Sequence, residues 1–204
     1  MKVFPRTTVY TSFLSLTLIG ILLAPHLLTP ARADNPPRKI LTGWIPYYRT
    51  YSSAGKTNGG LESALNNRDL IKEVMPFWYQ LDSATKIEDL YSPANPNKPI
   101  ADALNQLKLA GYAIIPTLTD GTSSRDPATG KMRTLTLSNL IADSAGRELV
   151  ASTINDFVVK NNFDGIDLDF ENFAFIDPNT SWDTTKIRWA AFIKVLANKL
   201  HAGN

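Results

Sequence analysis

Cysteine is absent from all 204 residues. Its absence excludes a disulfide framework, a thiolate nucleophile and a cysteine-ligated zinc. Histidine is nearly as scarce. Of the two present, only His201 lies beyond the N-terminal segment, which leaves a Ser-His-Asp triad without a convincing base. Positive charge is also in short supply. The formal net charge is +2, but residues 1–33 hold Lys2, Arg6 and Arg32 and no acidic residue, so without them it is −1. The electrostatic footprint of nucleic-acid binding is therefore missing. Carboxylates are what remains for acid–base work.

Residues 1–33 read as an address. Lys2 and Arg6 precede an apolar run from Phe13 to Leu28, and Ala31-Arg32-Ala33 follows it. That order predicts a secretory signal peptide cleaved after Ala33. A membrane anchor fits less well, because Pro25 and His26 interrupt the run and a span needs about 20 apolar residues. The mature chain is expected to be secreted or extracytoplasmic, without a stable membrane anchor. Residues 34–38, Asp-Asn-Pro-Pro-Arg, form a short linker, since proline disfavours helix and central strand. Residues 39–204 are left for a folded domain, and 44% hydrophobic with 20% charged residues suits one.

Within that domain, strand-like and helix-like stretches alternate. Residues 40–47, 72–81 and 112–119 read as strands; the last begins nearly all apolar, as strands buried on both faces do. Pro76 argues against a central position for the second. Phe77 and Tyr79 should share one face of it, with Trp78 on the other. A short helix is expected over 63–68. Helical stripes follow: Ala103, Leu104, Leu107 and Leu109 in 100–110, closed by Gly111; Leu149, Val150, Ile154, Phe157 and Val158 in 145–161; and Ile187, Ala191, Phe192, Val195, Leu196 and Leu200 in 183–201. Residues 52–60, 92–99, 121–135 and 172–181 read as loops. The alternation indicates βα units around a parallel sheet.

The richest stretch is Asp164-Gly165-Ile166-Asp167-Leu168-Asp169-Phe170-Glu171. Its alternation predicts a strand with Ile166, Leu168 and Phe170 on one face and three carboxylates on the other. Neighbouring acidic Cα atoms would lie about 6.6 Å apart. At that spacing the carboxyls share protons, and at least one proton affinity should rise toward the range of a general acid. A solvated acidic edge strand is the plainer reading. Against it, Asp and Glu are poor strand formers, and no Lys or Arg is interleaved to relieve the repulsion. A Mg²⁺ or Ca²⁺ site is a further alternative, although rigid alternation does not resemble a cation-wrapping loop.

These residues resemble the D-G-x-D-x-D-x-E signature of glycoside hydrolase family 18, the chitinase-like enzymes. The resemblance implies an α/β fold, the (β/α)8 TIM barrel, with this stretch as its fourth strand and the chain supplying about the first four βα units. It implies Glu171 as the acid/base, Asp169 as the group that orients the substrate's 2-acetamido arm, and Asp167 as the residue that tunes Asp169. Asp164, out of phase with the others, reads as structural. Trp44, Tyr47, Phe77 and Tyr79 become candidates for stacking on sugar rings, with Tyr48 beside them. The implied reaction is retaining, substrate-assisted cleavage of β-1,4 bonds next to N-acetylglucosamine, in chitin or chito-oligosaccharides, with no cofactor and no metal.

Two departures bear on the substrate. Many family members carry Ser-x-Gly-Gly at the end of the third strand, where this chain has Thr117-Leu118-Thr119-Asp120, and Asn172 follows Glu171. Both lean toward the bacterial branch of spore-cortex and cell-wall hydrolases, so peptidoglycan is the alternative substrate. A non-catalytic carbohydrate-binding relative is a second alternative. A whole barrel takes about 250 residues, whereas residues 34–204 number 171. The expectation is a fragment, inactive or nearly so alone and able to self-associate through its open edges.

Overall fold

Leu41–Pro46 (β1) and Ile71–Ser83 (β2) are rich in apolar and aromatic side chains and pair in parallel, with Trp44 beside Met75 and Pro46 beside Phe77. The computed structural model describes residues 41–53, 58–122, 125–126 and 128–202, so the expected signal peptide and linker lie outside the described residues. Gly60–Asn66 (α1) connects the first two strands. Lys86–Asp89 (β3) then folds back antiparallel onto the end of β2, a hairpin that the sequence pattern did not reveal. Tyr91–Ala94 (α2) takes the start of the expected loop over 92–99, and Ile100–Leu109 (α3) leads back to the sheet.

The third strand is split. Ala113–Ile114 (β4) and Thr117–Asp120 (β5) both pair in parallel with β2, and Ile115-Pro116 interrupts them. The same gap explains how Pro76 fits inside a central strand. Val74 accepts from the Ile115 amide at 3.0 Å, and Pro76, two residues on, directs its backbone to the same side. Its missing N–H therefore falls at the interruption, where Pro116 also lacks one.

Thr136–Leu140 (α4) and Ser144–Asn161 (α5) precede Asp167–Asp169 (β6), which pairs in parallel with β5. Asn172–Ile176 (α6) and Trp182–Ala202 (α7) follow. Asp143 caps α5 by accepting from the Gly146 amide at 2.8 Å, and Asn162 ends it in a left-handed conformation, φ 52°. Gly111, at φ +80°, does the same after α3.

The principal strand order is β1-β2-β5-β6, all parallel and consecutive. A doubly wound sheet would reverse direction from its first strand; an unbroken run with helices on one face curls instead into a barrel wall. The result is a half-barrel. Ile45 meets the position of Gly60 on α1, Tyr79 packs on Phe157 of α5, and Phe170 packs on Trp189 of α7. Those contacts define the helix-facing side of the sheet. Ile45, Trp78, Leu81, Leu118, Ile154 and Phe192 are buried in that layer. One residue of each expected helical stripe falls outside it: Leu109, Leu149 and Ile187 are exposed.

Candidate functional site

Asp167 and Asp169 occupy the concave side. Thr117 Oγ1 donates to Asp167 Oδ2 at 2.8 Å, and their residues are register partners across β5 and β6, so both side chains share a face. Phe170, opposite in phase, points to the helices. The ladder between β5 and β6 ends at Thr119 and Asp169. The expected eight-residue strand is thus only three residues long. Glu171 lies beyond it, with helical dihedrals (φ −97°, ψ −23°), as the residue that opens α6. Strict alternation therefore does not carry Glu171; a strand-to-helix turn does. Its side chain still hydrogen-bonds with that of Asp169.

This trio is electrostatically strained. Partial burial pushes the Asp169 carboxyl above the usual aspartate range, and the neighbouring Glu171 and Asp167 charges push the same way, as does the hydrogen bond with Glu171. Asp167 and Asp169 are half-buried, while Glu171 is exposed. A proton shared between Asp169 and Glu171 is what such an arrangement can hold and deliver. Among the described residues, no three His, Asp or Glu side chains converge as metal ligands.

Asp164 stands apart, as its phase predicts. Its carboxylate accepts from the Ile114 amide at 2.8 Å, and its own amide donates to the Ile114 carbonyl at 3.0 Å. It clamps the entrance of β6 to β4.

Three of the four aromatic candidates gather near the acids. Trp44 stacks on Phe77 with ring centroids 6.4 Å apart, and Tyr47 approaches Phe77 at 6.2 Å. Phe77, Thr117 and Asp167 form one row across β2, β5 and β6. The Phe77 and Asp167 Cα atoms are thus about 10 Å apart, two strand spacings. Trp44 and Tyr48 are exposed. Tyr79 does not join them. A register shift between Phe77 and Tyr79 breaks the expected alternation. Trp78 and Tyr79 are both buried, and Tyr79 packs against Phe157 and Phe163. A β-bulge places consecutive side chains on one face in this way.

The sequence pattern also missed a polar anchor. Asp177, within an expected loop, is buried; its carboxylate accepts from Ser138 Oγ at 2.9 Å and from the Leu135 amide. Leu135 sits at φ 57°, and the Asp177 bond holds that strained turn at the start of α4. Asp177-Pro178-Asn179 carries a turn signature, but nothing local marks its first carboxylate for burial.

A cavity of about 440 Å³ lies at the other end of β6, lined by Asn162, Asp164 and His201 among others. None of the carboxylate trio borders it. Barrel chemistry sits at the carboxyl ends of the strands, where Asp169 and Glu171 are.

No protein-family model matches the sequence, and no curated protein matches it. Solved structures do. Catalytic domain 2 of the Group II chitinase of Ostrinia furnacalis, in complex with (NAG)5, superposes with a TM-score of 0.56 at 18% identity, covering 81% of this chain and 41% of its own. A class V chitinase from Pseudomonas fluorescens gives 0.54 at 17%, covering 82% and 43%. The C-terminal domain of a chitinase-like protein from Desulfitobacterium hafniense gives 0.52 at 17%, covering 81% and 44%. The chain has the fold of a partial chitinase-like barrel and spans about two fifths of the length of these structures.

Proposed function

We propose that the chain is one wall of a secreted glycoside hydrolase that cleaves β-1,4 linkages next to N-acetylglucosamine. The observation that carries this reading is the placement of Asp169 at the carboxyl end of a barrel strand with Glu171 on the turn just beyond it, where burial and the Glu171 and Asp167 charges push the Asp169 carboxyl up. Two hydrogen-bonded carboxyls on one side of a site cannot flank a sugar ring, which ordinary retaining and inverting hydrolysis both require. They fit a reaction in which the substrate supplies its own nucleophile.

In that reaction protonated Glu171 gives its proton to the glycosidic oxygen as the bond to C1 breaks. The 2-acetamido oxygen closes on C1 from the opposite face, and Asp169 orients the acetamido N–H. Glu171, now a carboxylate, takes a proton from the water that reopens the ring at C1, so configuration is retained. Asp167, fixed by Thr117, tunes the charge on Asp169. Trp44, Tyr47 and Phe77 offer the aromatic surface for neighbouring sugars. Chitin or a chito-oligosaccharide is the substrate of this reading, supported by the sugar-bound Ostrinia furnacalis neighbour. Peptidoglycan is the alternative substrate, toward which the two departures at Thr117–Asp120 and Asn172 lean.

Because the described strands form one wall, turnover of a chromogenic chitobiose substrate by the 204-residue chain is expected to be slow. Whatever rate it shows should fall about 10²–10⁴-fold in Glu171→Gln, the usual contribution of a general acid. Sugar binding, followed by tryptophan fluorescence, should persist. Hydrolysis that survives the substitution would overturn the enzyme reading.

A further inference from the structure

Glu171 reaches Asp169 from outside the sheet, so something other than the strand ladder must hold it there. The last rung between β5 and β6 joins Thr119 and Asp169. Beyond it, the next tie from the Glu171 segment to the sheet is a side chain: Asn172 Nδ2 donates to the Asp120 carbonyl at 2.6 Å. That carbonyl is itself a firm anchor. The Asp120 carboxylate accepts from the Thr122 amide at 2.9 Å, and the Gly121 amide donates to Leu81 at 2.9 Å, which pins the end of β5 to β2.

The other end of α6 is pinned as well. The Asp177 amide donates to the Phe173 carbonyl at 3.2 Å, and the Asp177 carboxylate is buried against α4. Phe173 packs on Trp189 between these two anchors. The peptide that follows Glu171 is thus fixed against the sheet, and with it the direction in which the Glu171 side chain leaves the backbone.

We infer that Asn172 is a positioning residue: its amide replaces the absent ladder rung and holds Glu171 against Asp169. The inference rests on the reading of Glu171 and Asp169 as the reacting pair, but its test does not depend on turnover. The groups that face Asp169 are Glu171, from the start of α6, and Asp167, from its own strand. If Asn172 lets go, the Glu171 charge moves away and only burial and Asp167 continue to raise the Asp169 carboxyl.

The experiment is a carboxyl ¹³C NMR titration of Asp169 and Glu171 in the full chain and in Asn172→Ala and Asn172→Ser. Neither replacement reaches the Asp120 carbonyl, and serine is tolerated at a helix start if the alanine variant folds poorly. The expected result is that Asp169 titrates lower than in the wild type, because the Glu171 charge no longer sits beside it. A wild-type titration of Asp169 in a folded variant would overturn the inference, including when the melting temperature falls, because a merely structural bond changes stability without moving Asp169. Failure of the Glu171→Gln hydrolysis test would leave this measurement intact, so the two ideas fail separately.

Discussion

At Asp169 the fold works against ionisation. The wild-type folded chain binds a proton at this carboxyl more tightly than the unfolded chain does, because partial burial and the Glu171 and Asp167 charges disfavour the anion. By linkage, this group favours the folded state in acid and opposes it once pH has risen through the raised folded value. Asp169→Asn removes the charge and keeps the shape. At neutral pH it should be more stable than the wild type by up to about 1 kcal/mol, the scale of like-charge neighbours in a sheet. That corresponds to about 2–4 °C for a domain of this size. The advantage should fade as pH falls through the ordinary aspartate range, below which the wild-type group is neutral in both states. Thermal melts at two pH values check this, and an equal or lower melting temperature for Asp169→Asn at pH 7 would contradict it. The same substitution should abolish hydrolysis, which would mark Asp169 as a residue whose charge the fold bears for function.

At the scale of elements, the short acidic strand depends on the clamp at its entrance. Asp164 is joined to Ile114 by two hydrogen bonds, one of them to a carboxylate. Asp164→Ala should cost about 1.5–3 kcal/mol, the usual worth of a hydrogen bond to a charged group. It should also accelerate hydrogen exchange at the Ile114 amide more than at amides of α5. Uniform acceleration across the domain would place the role elsewhere. The phase of Asp164 relative to Asp167, Asp169 and Glu171 made this structural part legible in the sequence. Helices α3, α5 and α7 were legible too, because each is long enough for apolar residues to recur along one stripe. Short elements were not. Lys86-Ile87-Glu88-Asp89 is mostly charged, and only its pairing with the overhanging end of β2 makes it a strand. The bulge that turns Tyr79 into the helix layer also has no local signature, since Phe77, Trp78 and Tyr79 are equally suited to either face. The span of the carboxylate strand was misjudged for a related reason. Alternation continues in the sequence to Glu171, but the partner β5 stops at Asp120, and a strand lasts only as long as its ladder.

For the molecule as a whole, the sheet leaves two edges. Among the described residues, β1 pairs only with β2 and β6 only with β5. Each edge presents a row of backbone donors and acceptors, and β1 adds the exposed Leu41 and Trp44. Both edges belong to parallel strands that run in the same sense, so a two-fold axis can bring β6 of one copy beside β1 of another at two equivalent seams. The two copies together would supply eight parallel barrel strands, counting β4 and β5 as one. The chain by itself should therefore associate at micromolar concentration, and light scattering coupled to gel filtration should give the mass of two chains. Lysine at Thr42, on the free edge of β1, should shift the equilibrium toward monomer, because a charge on an open edge discourages pairing. A strictly monomeric wild type at all concentrations would show that the edges are protected by twist or by their own side chains. In a dimer Trp44 on β1 of each copy would lie beside the carboxylate strand β6 of the other, across the seam. Sugar binding should then rise with protein concentration in step with the mass, and binding that is independent of concentration would separate the aromatic surface from the assembled barrel.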